Sequence, residues 1–149
     1  MVKVIIGNDH SSVEVKNRLV RWLVSQGFEV TNAGVDTEES IDYPDIAEKA
    51  CRDFLKGDYD FGILLCGTGI GISISANKIK GIRCALIHDS FCARMAKKHN
   101  NANFIAFGGR VTYNEPIESM ITTFHTAVFE GGRHRQRVEK MDRLGERGC

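Results

Sequence analysis

Phe61-Gly62-Ile63-Leu64-Leu65-Cys66-Gly67-Thr68-Gly69-Ile70-Gly71 is the stretch that decides how the rest of the chain reads. Its first six residues lack the alternation of a half-exposed strand, so they describe a strand buried on both faces. The glycines behind them describe a tight passage into a helix from about Ile70 to Lys78. The same unit recurs outward in both directions. Upstream, Val2 to Ile6 reads as a buried strand ended by Gly7. Ser12 to Gln26 follows as a helix, with Val15, Leu19, Trp22 and Leu23 at i, i+4, i+7, i+8 and Lys16, Arg18 and Arg21 turned outward. Phe28 to Thr31 is a second strand, and a polar loop from Gly34 to Asp42 leads to Pro44, which opens a helix ending at Gly57. Downstream come a strand from Arg83 to Ile87, a helix from Ser90 to Lys98, a strand from Asn103 to Phe107 and a helix from Glu115 to Phe129. Strands alternating with helices, joined by right-handed crossovers, predict an α/β fold: a three-layer αβα sandwich around a five-stranded, Rossmann-like parallel sheet. One domain over residues 1–149 is expected. Its last segment, Arg133 to Arg147, carries Val138, Met141 and Leu144 on too narrow a stripe for a core helix, which predicts packing across the body or against a second subunit.

The 149 residues carry a formal charge of +1, so no global field draws this chain to nucleic acid or to an anionic membrane. The one basic run, near the C-terminus, is interleaved with Glu139, Asp142 and Glu146 and has no aromatic platform, which also speaks against nucleic acid. No apolar stretch approaches a membrane span or the core of a signal peptide, and a cytoplasmic protein is expected. The five cysteines, Cys51, Cys66, Cys84, Cys92 and Cys149, show neither paired nor zinc-type spacing, so reduced thiols are expected. Cys51, Cys84 and Cys92 read as small buried or half-buried hydrophobes. No two histidines sit at i, i+3 or i, i+4, and the spacing therefore predicts no metal site.

In an open parallel sheet, ligands bind beyond the carboxyl ends of the strands. That rule selects Asn8-Asp9-His10, Cys66 with its glycine loop, His88-Asp89, and Gly108-Gly109-Arg110. Cys66 stands at a strand end just before a helix start, where unpaired N–H groups favour negative charge, a setting that makes a thiol a base or a nucleophile. Gly67, Gly69 and Gly71 can present backbone donors to a developing oxyanion. A rival reading takes the same glycines as a dinucleotide fingerprint with Asp89 as its acid, but position 72, where the third glycine would stand, is Ile72. Asp9-His10 reads as an acid/imidazole pair or as a helix cap, and His99 as a functional residue or a complement to a helix end. His88 and His125 read as structural. Arg133 and Arg137, at i, i+4, suit a phosphate or form a solvated face.

Taken together, Gly7-Asn8-Asp9-His10, Asp42-Tyr43-Pro44-Asp45, Cys66 to Ser73, Ala76-Asn77-Lys78, Gly81-Ile82-Arg83, His99-Asn100 and Gly131-Gly132-Arg133-His134 with Arg137 resemble the type B ribose-5-phosphate isomerase family, which also holds the galactose-6-phosphate isomerase subunits. The resemblance spans nearly the whole chain. It implies a cofactor-free, metal-free aldose–ketose isomerase acting on a sugar phosphate, with Cys66 as the base between C1 and C2. By the same resemblance His99 opens the sugar ring with Asp9 nearby, and Thr68 with the backbone of Gly67, Gly69, Ile70 and Gly71 holds the enediolate. Tyr43 then lines the substrate, Asn100 binds a hydroxyl, and His10, Arg110, Arg133 and Arg137 hold the phosphate. It further implies a homodimer or homotetramer whose subunits share each site. His99 and the arginine motif favour the pentose phosphate over galactose 6-phosphate, with allose 6-phosphate as a side substrate. A non-catalytic phosphate-binding module of the same fold is the more distant alternative. The chain departs from the family pattern at Ser11-Ser12-Val13.

Overall fold

The computed structural model describes residues 1–145; Cys149 and the end of the predicted C-terminal helix lie outside the described residues. Five strands, β1 (Lys3–Asn8), β2 (Glu29–Asn32), β3 (Phe61–Cys66), β4 (Cys84–Leu86) and β5 (Phe104–Gly108), form one parallel sheet in the order β2-β1-β3-β5-β4. The helices are α1 (Val13–Ser25), α2 (Tyr43–Lys56), α3 (Ile70–Ala76), α4 (Ser90–Lys98), α5 (Ile117–Thr126) and α6 (Arg133–Arg143). The predicted sandwich is therefore present. The helix expected over 115–129 is shorter, because the extended backbone of Pro116 sets its start and the extended Ala127 its end. Helix α6 likewise stops at Arg143, with Leu144 extended.

Alternation along the strands divides the core in two, since successive side chains leave a strand on opposite faces. Val4, Ile6, Ile63, Leu65, Ile105 and Phe107 pack against α1, α4 and α5. Ile5, Leu64, Cys66, Phe104 and Ala106 pack against α2 and α3. On that second face Gly62 pairs with Phe104 across the β3/β5 ladder, and a Cβ on Gly62 would fall 2.1 Å from the Phe104 ring. The missing side chain is what lets the ring lie over the strand, edge-on to Phe54.

β1 and β3 stay paired to their carboxyl ends, but the connections that follow them run to opposite faces of the sheet, to α1 and to α3, and leave a crevice between them. Among the described residues no helix is long and apolar enough to cross a membrane.

One outward residue turns out to be inward. Lys16 is 1% exposed, because position 16 lies three residues before Leu19 and seven before Leu23, on the same buried stripe of α1. Its ammonium pairs with Asp36, tying α1 to the loop after β2. That hydrogen bond holds the Asp36 carboxyl below its ordinary 3.8. A depressed carboxylate stabilises the fold fully above its unfolded value, about pH 4, and loses that contribution as pH falls through the folded value. Asp36→Asn is therefore expected to lower Tm at pH 7 and to flatten the Tm profile between about pH 5 and pH 2.5 relative to the parent, measured by thermal melts across pH.

Candidate active site

The crevice is built by the ends of β1, β3 and β5. Asn8, wholly buried at the end of β1, donates from Nδ2 to the carbonyls of Asp9 (2.9 Å) and Val35 (3.0 Å), and its Oδ1 accepts from the Val35 N–H. The loop after β2 is thereby fastened to the crevice wall. Asp9, also buried, accepts at Oδ1 from the N–H (3.0 Å) and hydroxyl (2.6 Å) of Ser11, so it is a cap and a crevice acid at once. Ser12 donates its hydroxyl to the Cys66 carbonyl at 2.9 Å, and Gly109 donates its N–H to the same oxygen at 2.8 Å. With its carbonyl held from both sides, Cys66 keeps its side chain on the α2/α3 face.

The glycine loop then meets the sulfur. Gly69 donates its N–H to Cys66 Sγ at 3.2 Å. It does so with φ +78°, and a Cβ there would lie 2.8 Å from the Phe107 carbonyl carbon, so the turn needs both the left-handed backbone and the missing side chain. Thr68 is exposed and accepts the Ile70 N–H at 3.2 Å. Tyr43, at the start of α2, lays its ring where a side chain on Gly71 would stand. Arg110 passes over Gly67, its Nη1 3.7 Å from the position of a Gly67 Cβ. His10 Nδ1 accepts from the Ile41 N–H at 3.1 Å, so a neutral ring carries its proton on Nε2. Tyr113 accepts the Gly108 N–H at 2.8 Å, and burial pushes its phenol up.

His99, Asn100, Arg133 and Arg137 are elsewhere. Helix α4 leaves the crevice edge and runs back about 13 Å, so His99 at its end lies at the amino-terminal edge of the sheet. There Arg83, just before β4, donates to the carbonyls of Asn100 (3.1 Å) and Asn101 (2.9 Å) and pairs with Asp142 of α6 at 3.1 Å. Helix α6 covers this edge with Val138 and brings His134 against His99, the two rings stacked with centroids 4.1 Å apart. Glu130 faces both rings and pairs with Lys98 at 2.8 Å, a bond that holds its carboxyl below the usual range. Burial pulls the His134 imidazole below its usual value, with the His99, Arg133 and Arg137 charges acting in the same direction. One chain thus carries two groups of candidate residues on opposite edges of its sheet.

Several sequence readings change. The histidine spacing rule missed that folding brings His99, Glu130 and His134 together, because it compares only sequence neighbours. Cys92 is exposed, whereas Cys51 and Cys84 are buried as expected; burial pushes Cys51 up to about 12. Asp89 accepts the Cys92 N–H at 2.7 Å as the cap of α4, which removes the acid from the dinucleotide reading. His125 packs between Phe28 and Phe61. Asn8 lies in the strand-end triplet and Ser11-Ser12 in the departure from the family pattern, but the bonds they make, Asn8 to Val35 and Ser12 to the Cys66 carbonyl, have no signal in the sequence beyond position around an Asp-His pair.

A sulfur aimed by a backbone donor, a nearby carboxylate and a loop of N–H groups suit removal of a proton beside a carbonyl, with the resulting oxyanion held by the loop. The profile of the ribose/galactose isomerase family matches residues 4–141. The chain is 40% identical over 147 residues to ribose-5-phosphate isomerase B of Escherichia coli, covering 99% of each chain. It is 42% identical over 142 residues to a D-erythrulose-4-phosphate isomerase of Pectobacterium atrosepticum, covering 95% of this chain and 93% of that one. The solved structure of a ribose 5-phosphate isomerase from Thermotoga maritima superposes with a TM-score of 0.92 at 44% identity, over 96% of this chain and 99% of that one.

Gly69→Ala tests the loop. The forced left-handed alanine and its contact with Phe107 backbone are expected to cost about 1–2 kcal/mol or more in urea denaturation. A crystal structure of the variant should show the residue 69 N–H moved away from the Cys66 sulfur.

Proposed function

The chain belongs to the ribose/galactose isomerase family, and from that premise we propose that it interconverts D-ribose 5-phosphate and D-ribulose 5-phosphate, each site being completed by a second copy of the chain. The observation that carries this reading is the Cys66 sulfur held by the Gly69 N–H at the mouth of the crevice. In the open aldose the Cys66 thiolate takes the proton from C2, the electron pair moves through the C1–C2 bond, and the C1 carbonyl oxygen becomes the enediolate oxygen. The N–H groups of Gly67, Gly69, Ile70 and Gly71, with Thr68, receive that charge, those of Gly69 and Ile70 exchanging Cys66 Sγ and Thr68 Oγ1 for the oxyanion. The thiol then returns the proton to C1 while the C2 hydroxyl passes its proton to the C1 oxygen, so that C2 becomes the ketone, C1 a neutral hydroxymethyl group and Cys66 a thiolate again. No cofactor or metal enters the cycle.

Before that step the furanose must open, which needs a proton on the ring oxygen. His99 is the candidate donor, with Asp9 receiving the proton released from the anomeric hydroxyl. Their placement on opposite sheet edges supports a homodimer in which the His99 edge of one copy closes the Cys66 crevice of the other. Asn100 would then meet a sugar hydroxyl, Tyr43 the sugar face, and Arg133 and Arg137 would join His10 and Arg110 around the phosphate. The phosphate serves as a remote handle that fixes the reacting carbons. Helix α6, with Met141 exposed, and the exposed Leu144 just after it would pack at that interface. A phosphorylated substrate that does not cross membranes supports a cytoplasmic location.

The deciding assay follows turnover of ribose 5-phosphate in chelator-treated buffer, beside erythrulose 4-phosphate, galactose 6-phosphate and allose 6-phosphate. Ribose 5-phosphate is expected to give the highest kcat/KM, and a better six-carbon or four-carbon substrate would reassign the specificity. Cys66→Ala is expected to lose about 10³-fold or more in kcat with an unchanged circular dichroism spectrum. Arg137→Ala should act mainly on KM. Sharing of the site has its own test: Cys66→Ala and His99→Ala chains, each inactive, should recover about a quarter of parent activity when refolded together, because half the dimers are mixed and each mixed dimer holds one intact site. No recovery would place both residues in one chain's site.

A further inference from the structure

The His99–Glu130–His134 cluster has a geometry that hydrogen bonding does not explain. His99 caps α4, with its N–H on the Met95 carbonyl at 2.9 Å. Glu130 is fixed by its own N–H to the Lys98 carbonyl at 3.0 Å, and His134 by its N–H to the Gly131 carbonyl at 2.9 Å in the first turn of α6. The three backbones are therefore anchored separately, and all present their side chains to one point.

The carboxylate is divided in its duties. Oε1 takes the Lys98 ammonium at 2.8 Å, while Oε2 faces Nε2 of His134 at 3.7 Å and Nε2 of His99 at 3.9 Å. Both distances are too long for a hydrogen bond. The rings lie 10° from parallel, and one ligand atom from each of the three residues falls within 4.8 Å of the others. A tetrahedral ion with bonds of about 2.0–2.1 Å sets its ligand atoms about 3.4 Å apart. The two carboxylate–imidazole separations would close by a few tenths of an ångström, while the imidazole pair would have to unstack, one ring turning out of the stack until both nitrogen lone pairs meet the ion. Two imidazoles and one carboxylate with a fourth position open suit zinc, and Lys98 on the other carboxylate oxygen supplies the outer partner that fixes such a ligand.

We propose that His99, Glu130 and His134 bind a divalent transition-metal ion, zinc by preference, and that the bound ion inhibits the chain by withdrawing the His99 ring from proton transfer. The inhibitory clause rests on the role given to His99 above; the binding clause does not. Arg133, Arg137 and Lys98 stand close enough to oppose a dication, which sets the expected affinity on the order of micromolar rather than nanomolar.

Binding is read with cobalt(II) on the chelator-treated full-length protein. The parent should show visible d–d bands of a nitrogen/oxygen site saturating at one cobalt per chain, and zinc should displace them. His134→Ala and Glu130→Gln should each weaken binding at least tenfold, and Cys92→Ser should leave it unchanged. A near-ultraviolet thiolate charge-transfer band, or equal binding by His134→Ala, would overturn the site. Inhibition is read separately: zinc should reduce ribose 5-phosphate turnover and a chelator should restore it. Zinc bound here with full activity would overturn the inhibitory clause. A chain that turns over no ribose 5-phosphate even under chelation would refute the function proposed above and leave the cobalt result to decide the binding.

Discussion

A strand in a parallel sheet can be followed by another only if the chain returns to its starting edge, and in this protein every return is a helix antiparallel to the strands. That constraint governs the whole molecule. All strand-to-helix junctions fall on one edge and all helix-to-strand junctions on the other, so the candidate groups Asp9, Cys66 and Arg110 are separated from His99, Arg133 and His134 by the length of the strands. On the function proposed above, ring opening by His99 and proton transfer by Cys66 fall on different edges, which is the ground for proposing that two copies associate.

Within the crevice, precision comes from groups that do no chemistry. Cys66 belongs to the core as much as to the site, and its carbonyl is gripped by Ser12 and Gly109 while its sulfur meets Gly69. Asn8 does the same for the loop at Val35. Each of these buried polar groups is satisfied, and among the described residues no buried side-chain nitrogen or oxygen lacks a partner. Rigid, satisfied surroundings are what allow a loop of glycines to hold fixed donors at the place where charge develops.

Much of this was legible in the chain. Continuous apolar runs mark the strands, and the rule of carboxyl-end binding puts Asp9, His10, Cys66 and Arg110 on one edge of the sheet, where the structure also has them. Periodicity also contains the burial of Lys16, three residues from Leu19, whereas the charge of a lysine by itself argues for an exposed position. What could not be read was proximity between distant segments. Glu130 follows a helix, His99 ends another and His134 opens a third, and only the packing of α4, α5 and α6 at one edge makes them neighbours. The reach of Ser12 to Cys66, 54 positions away, is of the same kind.

The contact between Gly62 and Phe104 restricts the routes by which this sequence can drift. A side chain at position 62 has no room while the ring is present, and shrinking the ring first leaves a cavity beneath α2 that itself costs several kcal/mol. Either single step is penalised, and only the double exchange restores packing. Lineages descended from this chain would therefore be expected to keep the pair or to change both positions together, in an order that depends on how much stability they can spare.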